Sequence, residues 1–183
     1  TGVCLLTLRG HHLQVTDAIY SPDGKTIVTV SLDRANACFW DADSGEKVTT
    51  LTHSSIDRLD TVAFTPDGHY LLVGARNGEI HAWDLESRTL LESYKAHVGG
   101  VSDIQFSSDG SWFASVGLGM EVAFRDFPGG QIRSDLKIPG IRTISLHPNG
   151  NVIATAGTDR IVTIWPTGRT DDDNLLGGDA RLL

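Results

Sequence analysis

The amino-acid sequence predicts an all-β fold built from about four copies of one antiparallel unit. Three short markers carry this prediction: a tight turn ending in glycine, an aromatic residue before an aspartate, and a histidine ahead of the first strand. They recur in a fixed order about every 40 residues. No stretch of useful length has the period of an amphipathic helix, which independently favours an all-β chain.

Each tight turn lies between two apolar stretches. The turns are residues 22–24, 66–68, 108–110 and 148–150, with Asp-Gly or Asn-Gly at their ends. These dipeptides supply the positive φ values that a two-residue hairpin turn requires. The predicted first strands are 15–20, 59–64, 101–106 and 141–146, and the predicted second strands are 26–30, 70–73, 112–116 and 152–156.

The other two markers frame each hairpin. The aromatic marker is Phe39-Trp40-Asp41, Ala82-Trp83-Asp84, Phe124-Arg125-Asp126 and Ile164-Trp165-Pro166. The histidine marker is Gly10-His11, Thr52-His53 and Ala96-His97, with Pro139-Gly140 in the last repeat. Together the markers resemble those of the WD-repeat family, over residues 1 to about 168. The resemblance implies a β-propeller, whose blades are four-stranded antiparallel sheets around a central channel.

The resemblance also predicts the domain organisation. Residues 1–168 form a propeller segment with repeats at approximately 9–51, 52–94, 95–137 and 138–168. Residues 1–8 match residues 44–51 and are expected to be the outer strand of an adjoining blade. Residues 169–183 are expected to be a flexible acidic tail.

Four blades rarely close a ring, and three arrangements stay open. In the first, which the missing initiator Met favours, the chain is the C-terminal part of a longer propeller. Alternatively, two copies exchange their first strands to form an eight-bladed homodimer, or the chain forms a four-bladed ring.

The resemblance implies a hydrogen-bonded set within each blade. Its members are His11, Thr29, Asp33 and Trp40, then His53 and Trp83, then His97, then Thr155, Asp159 and Trp165. These residue types also occur in catalysts, but each already has a place in the repeat, so a structural role is expected. The second repeat departs from the pattern at Val73 and Asn77, and the third at Gly119 and Arg125. Arg125 either marks degeneration, which should leave the third blade the least rigid, or pairs with a partner or a neighbouring blade.

The resemblance implies that partners bind on one face of the propeller. This face carries the entry loops, which precede the first strands, and the loops between the second and third strands. The corresponding positions are Gln14, Thr16 and Leu32; Arg58, Asp60 and Arg76; Gly100, Ser102 and Leu118; and Gly140, Arg142 and Thr158. Arg58, Arg76 and Arg142 predict a local basic spot for an acidic or phosphorylated segment, because a guanidinium binds carboxylate or phosphate in bidentate fashion. The alternative is that they are ordinary solvated charges.

Composition excludes several classes of function. The net charge of −8 repels phosphate backbones, so no direct nucleic-acid binding is expected. No apolar run reaches the ~20 residues of a membrane span. Two cysteines, Cys4 and Cys38, are too few for a disulfide framework, which favours a reducing cytoplasmic or nuclear setting.

No motif for a nucleophile, a phosphate loop or a metal site is found, so neither enzyme activity nor a cofactor is expected. His11 and His12 are adjacent and point apart. The expected function is a non-catalytic protein–protein interaction scaffold. The alternatives are a structural subunit of a large assembly, or the C-terminal sensor or regulatory propeller of a larger signalling protein.

Overall fold

The computed structural model describes residues 2–33, 36–52, 58–119 and 121–167. These residues form fifteen β-strands and no helix, as the sequence predicts. The strands are β1 (Val15–Tyr20), β2 (Thr26–Ser31), β3 (Asn36–Asp41), β4 (Lys47–Thr52), β5 (Leu59–Phe64), β6 (Tyr70–Ala75), β7 (Glu79–Asp84), β8 (Thr89–Lys95), β9 (Val101–Phe106), β10 (Trp112–Gly117), β11 (Glu121–Asp126), β12 (Ile132–Lys137), β13 (Ile141–Leu146), β14 (Val152–Gly157) and β15 (Val162–Pro166).

The strands form four antiparallel sheets in which each strand pairs with its neighbours in sequence. Three sheets have four strands, in the orders β1-β2-β3-β4, β5-β6-β7-β8 and β9-β10-β11-β12, and the fourth has three, in the order β13-β14-β15. We call them blades 1 to 4. The observed first strands have the predicted bounds, and the second strands end one or two residues later than predicted.

The connections between first and second strands lie where predicted, but they are not two-residue turns. The turn glycines have φ values between +71° and +74°, as the Asp-Gly and Asn-Gly dipeptides require. In blade 1, Ser21 N donates to Thr26 O at 2.8 Å, so the connection contains more than two residues. The two-residue turn is therefore wrong. The longer loop is stabilised by Asp23, whose Oδ1 accepts the backbone N–H of Lys25 at 3.1 Å.

The hydrophobic core lies between blades rather than within them. The first strands β1, β5, β9 and β13 lie side by side in that order. Shared apolar clusters join Val28 with Leu71, Leu72 with Phe113, and Val116 with Ile144. Each blade therefore buries its apolar faces only against its neighbours, as expected of a repeat protein.

The two ends of the described chain do not pair with each other. Residues 2–14 contain no strand, and Leu8 Cδ2 lies only 3.2 Å from where a Cβ would stand at Gly45 of blade 1. On the open edge of blade 4, Val162 and Ile164 of β15 are 70% and 68% exposed. The assignment of residues 1–8 as an outer strand stays a prediction. The predicted tail, 169–183, lies outside the described residues.

Candidate protein-binding face

The residues predicted to contact partners meet in every blade through one recurring hydrogen bond. The backbone N–H groups of Leu32, Arg76, Leu118 and Thr158 donate to the carbonyl oxygens of Gln14, Arg58, Gly100 and Gly140, at 2.8 to 3.0 Å. Each bond joins the loop between the second and third strands to the entry loop. We call the surface formed by these loops the loop face.

A β-bulge lies between the two bonded loops of each blade. The strand registers shift at Thr16, Asp60, Ser102 and Arg142, which are the middle residues of the four predicted triplets. A bulge leaves one residue outside the regular ladder and redirects its side chain. Near its N-terminal end, each first strand therefore carries one residue whose side chain lies outside the regular pairing of the sheet.

Two of the bulge residues are used inside the protein. Thr16 Oγ1 donates to Leu59 O of blade 2 at 2.8 Å, and Ser102 Oγ donates to Arg142 O of blade 4 at 2.9 Å. These hydroxyls join consecutive blades, so their replacement would affect blade packing as well as any partner. Both positions are thus poorer candidates for partner contact than the charged bulge residues.

The three predicted arginines have different surroundings. Arg58 and Arg142 are exposed. Arg76 is half exposed, and its Nη1 lies 3.5 Å from Asp60 Oδ1, so part of its charge is balanced within blade 2. Arg58 and Arg76 are neighbours, because the Arg76 N–H donates to the Arg58 carbonyl at 2.8 Å. Arg142 belongs to blade 4, two blades further along the chain.

The loop face also exposes apolar side chains. Val98, in the entry loop of blade 3, is 91% exposed, and Leu13 and Leu118 are exposed as well. Val98 and Leu118 belong to the two bonded loops of blade 3 and add apolar area to that part of the loop face.

Blade 1 contains the full hydrogen-bonded set. Trp40 Nε1 donates to Thr29 Oγ1 at 2.8 Å, and Thr29 Oγ1 lies 2.6 Å from His11 Nε2. His11 Nδ1 lies 3.2 Å from Asp33 Oδ1. Because the carboxylate only accepts, Nδ1 carries the imidazole proton and Nε2 accepts the hydroxyl proton of Thr29. The arrangement is a continuous chain of donors from the indole to the carboxylate.

The hydrogen bonds of this set keep the Asp33 side chain ionised. Burial raises the pKa of its carboxyl, but hydrogen bonds from the backbone N–H of His12, at 2.8 Å, and from His11 outweigh burial and bring the pKa below its ordinary value. The set has the residue types of a hydrolase triad, yet the hydroxyl of Thr29 is buried and already accepts the indole N–H. The hydroxyl of Thr29 is therefore engaged on both sides within the blade.

Blade 3 keeps the same histidine chemistry with a different acid. His97 Nε2 lies 2.8 Å from Ser115 Oγ, and His97 Nδ1 lies 3.1 Å from Glu121 Oε1. The sequence comparison placed Gly119 at the acidic position. The longer side chain of Glu121, two residues later, reaches the imidazole instead. Burial lowers the pKa of His97, against the opposing effect of Glu121, so the imidazole is neutral at pH 7.

Arg125 takes the position of the tryptophan in blade 3 and is buried. Its Nη1 lies 3.5 Å from Gly130 O of the same blade, and its Nε has no hydrogen-bond partner among the described residues. The guanidinium is therefore bonded within its own blade and also lies close enough to Tyr94 of blade 2 to act on it electrostatically.

The other repeats contain only parts of the set. In blade 4, Trp165 Nε1 donates to Thr155 Oγ1 at 2.9 Å, but Asp159 is exposed and its Oδ1 accepts the N–H of Ile161. Without a histidine, nothing draws Asp159 toward Thr155. In blade 2, Trp83 is buried, and His53 lies outside the described residues.

Sequence reasoning missed two aspartates that join blades. Asp17 Oδ2 accepts hydrogen bonds from Thr61 Oγ1 at 3.1 Å and Val62 N at 3.0 Å. Asp103 Oδ2 accepts the equivalent bonds from Thr143 at 2.6 Å and from Ile144 N at 2.9 Å. The signal was present, because aspartate and threonine alternate at this register in the four first strands.

No group of three or more His, Cys, Asp or Glu side chains suited to a metal ion occurs within the described part of the chain. The same residues contain no helix able to cross a membrane.

Consecutive four-stranded meanders with a Trp–Thr–His–Asp set define the class of WD-type propeller blades. Comparison with known families agrees. The model for the WD domain, G-beta repeat, matches residues 2–41 and 133–166, and the model for the WD40 domain of anaphase-promoting complex subunit 4 matches residues 44–109. The chain belongs to the WD-repeat family.

Several curated proteins are similar to most of the chain. It is 25% identical to the WD repeat-containing protein SL1-17 of Schistosoma mansoni over 88% of this chain and 54% of that protein. It is 30% identical to pre-mRNA-processing factor 19 of Oryza sativa subsp. japonica over 63% of this chain and 22% of that protein. It is 26% identical to the small ribosomal subunit protein RACK1 of Brassica napus over 89% of this chain and 42% of that protein. The chain thus spans about half or less of these relatives.

Proposed function

We propose that this chain is a non-catalytic protein-interaction scaffold whose loop face binds segments of partner proteins. The observation that carries the proposal is the recurrence, in all four blades, of a bulge residue between two bonded loops. The bonds hold the two loops of each blade together, while the side chains of Arg58, Arg76 and Arg142 reach solvent. The exposed Val98, Leu13 and Leu118 add the apolar contact area that a protein partner needs.

Arg58 and Arg76 make an acidic or phosphorylated segment the favoured ligand of this face. Their backbones are hydrogen-bonded, and both side chains reach solvent. Arg142 adds a third positive charge on blade 4. Asp60 balances part of the charge of Arg76, so a phosphate group has to compete with this carboxylate for the guanidinium.

A labelled phosphoserine peptide with flanking glutamates, and its unphosphorylated form, would test this ligand class by fluorescence anisotropy. We expect the Arg58→Ala/Arg76→Ala double variant to bind the phosphopeptide more than tenfold more weakly. The matched control is Arg88→Ala, at the opposite end of the blade 2 strands. Equal affinity of the double variant and the unmodified chain would contradict the role of the basic spot.

Self-association by outer-strand exchange is a second part of the proposal. Up to residue 167, where the described part of the chain ends, blade 4 has three strands, and the exposed Val162 and Ile164 lie on its outer strand. Residues 1–8 of a second copy resemble the β4 region and are suited to cover that edge. Light scattering should give about twice the 19.7 kDa chain mass, and deletion of residues 1–8 should reduce it to one chain. A single-chain mass for the intact chain at every concentration would refute the exchange.

The same exposed edge favours one other function, a structural subunit of a large assembly. Relatives named for pre-mRNA processing and for the small ribosomal subunit support either assembly or scaffold, and a cytoplasmic or nuclear location. A regulatory propeller within a larger signalling protein also agrees with the partial coverage of the relatives. A substitution such as Ile164→Lys would distinguish edge-based assembly, which it should block, from loop-face binding, which it should leave unchanged.

A further inference from the structure

A cleft between blades 1 and 2 lies away from the loop face. It has a volume of about 400 Å³ and is lined by residues of the β1–β2, β5–β6 and β7–β8 turns and of β4. These turns and the loops of the loop face lie at opposite ends of the strands, so the two surfaces are distinct. The volume is in the range of cavities that hold a small ligand or a few side chains.

The floor of this inter-blade cleft is apolar. Phe39 and Leu51 come from blade 1, and Phe64 and Leu85 come from blade 2. All four belong to or pack against the apolar cluster that joins the two blades. Val48, on the outer strand β4, lies at the rim and is 60% exposed. A bulky apolar side chain entering here would cover surface that water now contacts.

Two carboxylates lie at the mouth of the cleft. Asp23 and Asp67 occupy the same turn position in consecutive repeats, and both line the cleft. Their turns touch, because a Cβ at Gly68 would stand 3.6 Å from Pro22 Cδ. Each aspartate uses Oδ1 for the hydrogen bonds of its own turn. Across the described ranges no hydrogen bond reaches Oδ2 of either side chain, so both oxygens are available to a ligand.

The charge at the mouth favours a basic ligand. Hydrogen bonds from the hydroxyls of Ser21 and Thr65 hold the pKa of Asp23 and of Asp67, respectively, below the ordinary value, so both side chains are ionised at neutral pH. Arg88 supplies one opposing positive charge among the lining residues. The chain as a whole carries a net charge of −8, which adds a long-range attraction for cations.

We propose that the inter-blade cleft is a second docking site, for a partner segment in which a bulky apolar residue adjoins lysine or arginine. The apolar side chain occupies the floor between Phe39 and Phe64. The neighbouring cation pairs with the Oδ2 atoms of Asp23 and Asp67. This site differs from the loop face in position and in the charge of its ligand, so it does not depend on the loop-face proposal.

Three capped, fluorescein-labelled peptides with identical Gly-Ser flanks test the proposal by anisotropy on the 183-residue chain. Their centres are Leu-Arg-Arg, Ser-Arg-Arg and Leu-Glu-Glu. The Leu-Arg-Arg peptide should bind at least tenfold more tightly than either of the others. Equal binding of Ser-Arg-Arg would mean that general charge attraction, not the apolar floor, holds the peptide. Tighter binding of Leu-Glu-Glu would mean that Arg88, not the two aspartates, determines the charge preference at the mouth. The absence of saturable binding would mean that the cleft is not a docking site for such a peptide. Each of these three results overturns the proposal.

Substitutions then locate the site. Asp23→Asn/Asp67→Asn keeps an Oδ1 acceptor for each turn but removes both charges, and it should weaken Leu-Arg-Arg binding at least tenfold. Asp109→Asn, at the same turn position in blade 3, is the matched control and should change nothing. Val48→Asp, at an exposed position where folding should be retained, should remove the preference for leucine over serine. Unchanged binding by both the double variant and Val48→Asp would refute the assignment.

Discussion

Replacement of Thr29 by valine should be unusually costly because one hydroxyl serves two buried partners. Valine has nearly the same shape, so the change removes hydrogen bonds and little packing. It leaves the indole N–H of Trp40 and Nε2 of His11 without their partner. A buried polar group left unpaired costs about 1–3 kcal/mol, so we expect Thr29→Val to destabilise the protein by about 3 kcal/mol, near the lower end of the summed range.

Equivalent changes in the other blades give a graded series. Thr155→Val deprives Trp165 of its acceptor and removes a long, 3.4 Å hydrogen bond to the ladder carbonyl of Thr163, and Ser115→Ala deprives only His97 of its donor. Each should cost about half as much as Thr29→Val, on the order of 1.5 kcal/mol. The control is Thr52→Val, whose exposed hydroxyl donates to Asn36 and should contribute little.

Urea denaturation followed by tryptophan fluorescence measures the series, and indole N–H signals in nuclear magnetic resonance report each bond directly. With four tryptophans, the Trp40 signal can be assigned by substitution and should show faster solvent exchange in Thr29→Val. For a domain of this size, about 3 kcal/mol corresponds to a fall in Tm of roughly 6–12 °C. If Thr29→Val proves no more destabilising than Thr155→Val, the hydroxyl does not link two partners and the reasoning fails.

Three further predictions concern pH, blade junctions and backbone shape. Because the pKa of His97 is lowered in the folded protein, the unfolded chain takes up a proton near pH 6.5 before the folded protein does. The free energy of unfolding should therefore fall as pH decreases from about 6.5. In urea denaturation, His97→Gln should make the midpoint less dependent on pH, whereas the exposed-site control His12→Gln should not. Asp103→Ala should cost about 2 kcal/mol, because it strands a buried amide of blade 4, while Asp103→Asn should recover part of that loss. Gly78→Ala should lower Tm by several degrees, since φ is +85° and a Cβ would stand 2.2 Å from His97 O, whereas Gly129→Ala has no neighbour within 4 Å and should be mild.

The blades could be predicted because local rules repeat in the sequence. The alternation of apolar residues defined all four first strands to the residue, and the turn dipeptides imposed positive φ at Gly24 and its equivalents. The second strands were predicted too short, because Ser31, Gly117 and Gly157 lack the apolar pattern and belong to the strands through pairing with the neighbouring strand. Strand ends depend on the neighbouring strand, which a single-sequence pattern does not contain.

The site was less predictable because side-chain length and burial act across the fold. Position alone indicated that blade 3 lacks the acid, because Gly119 stands where the aspartate would be, whereas Glu121 supplies a carboxylate from two residues away. Asp159 has the right residue type at the right position but no histidine to bind. The resemblance to the WD-repeat family predicted the triplets of the loop face, while the ion pair between Arg76 and Asp60 follows only from the folded structure.

The junctions between blades are of two kinds. The first and last are joined by the carboxylates of Asp17 and Asp103, which bond to the next blade. The middle junction relies on glycine: a Cβ at Gly74 would meet Val101 at 2.8 Å, and the ring of Tyr94 lies against Gly130. Almost any substitution at such a glycine adds atoms where there is no room, whereas a carboxylate junction fails only when its acceptor is lost.

This difference bears on the order in which the chain opens. In a repeat array the free energy is a sum over units and the contacts between neighbours, so unequal contacts divide the array into cooperative blocks. Blades 2 and 3, joined by side chains packed closely against glycines, should behave as one such block, in contrast to the expectation from Gly119 and Arg125 that blade 3 is the least rigid. Blades 1 and 4 each pack against one neighbouring blade among the described residues and should detach from the block first. Hydrogen exchange would then resolve a slow central unit containing β6 and β10, flanked by faster β2 and β14.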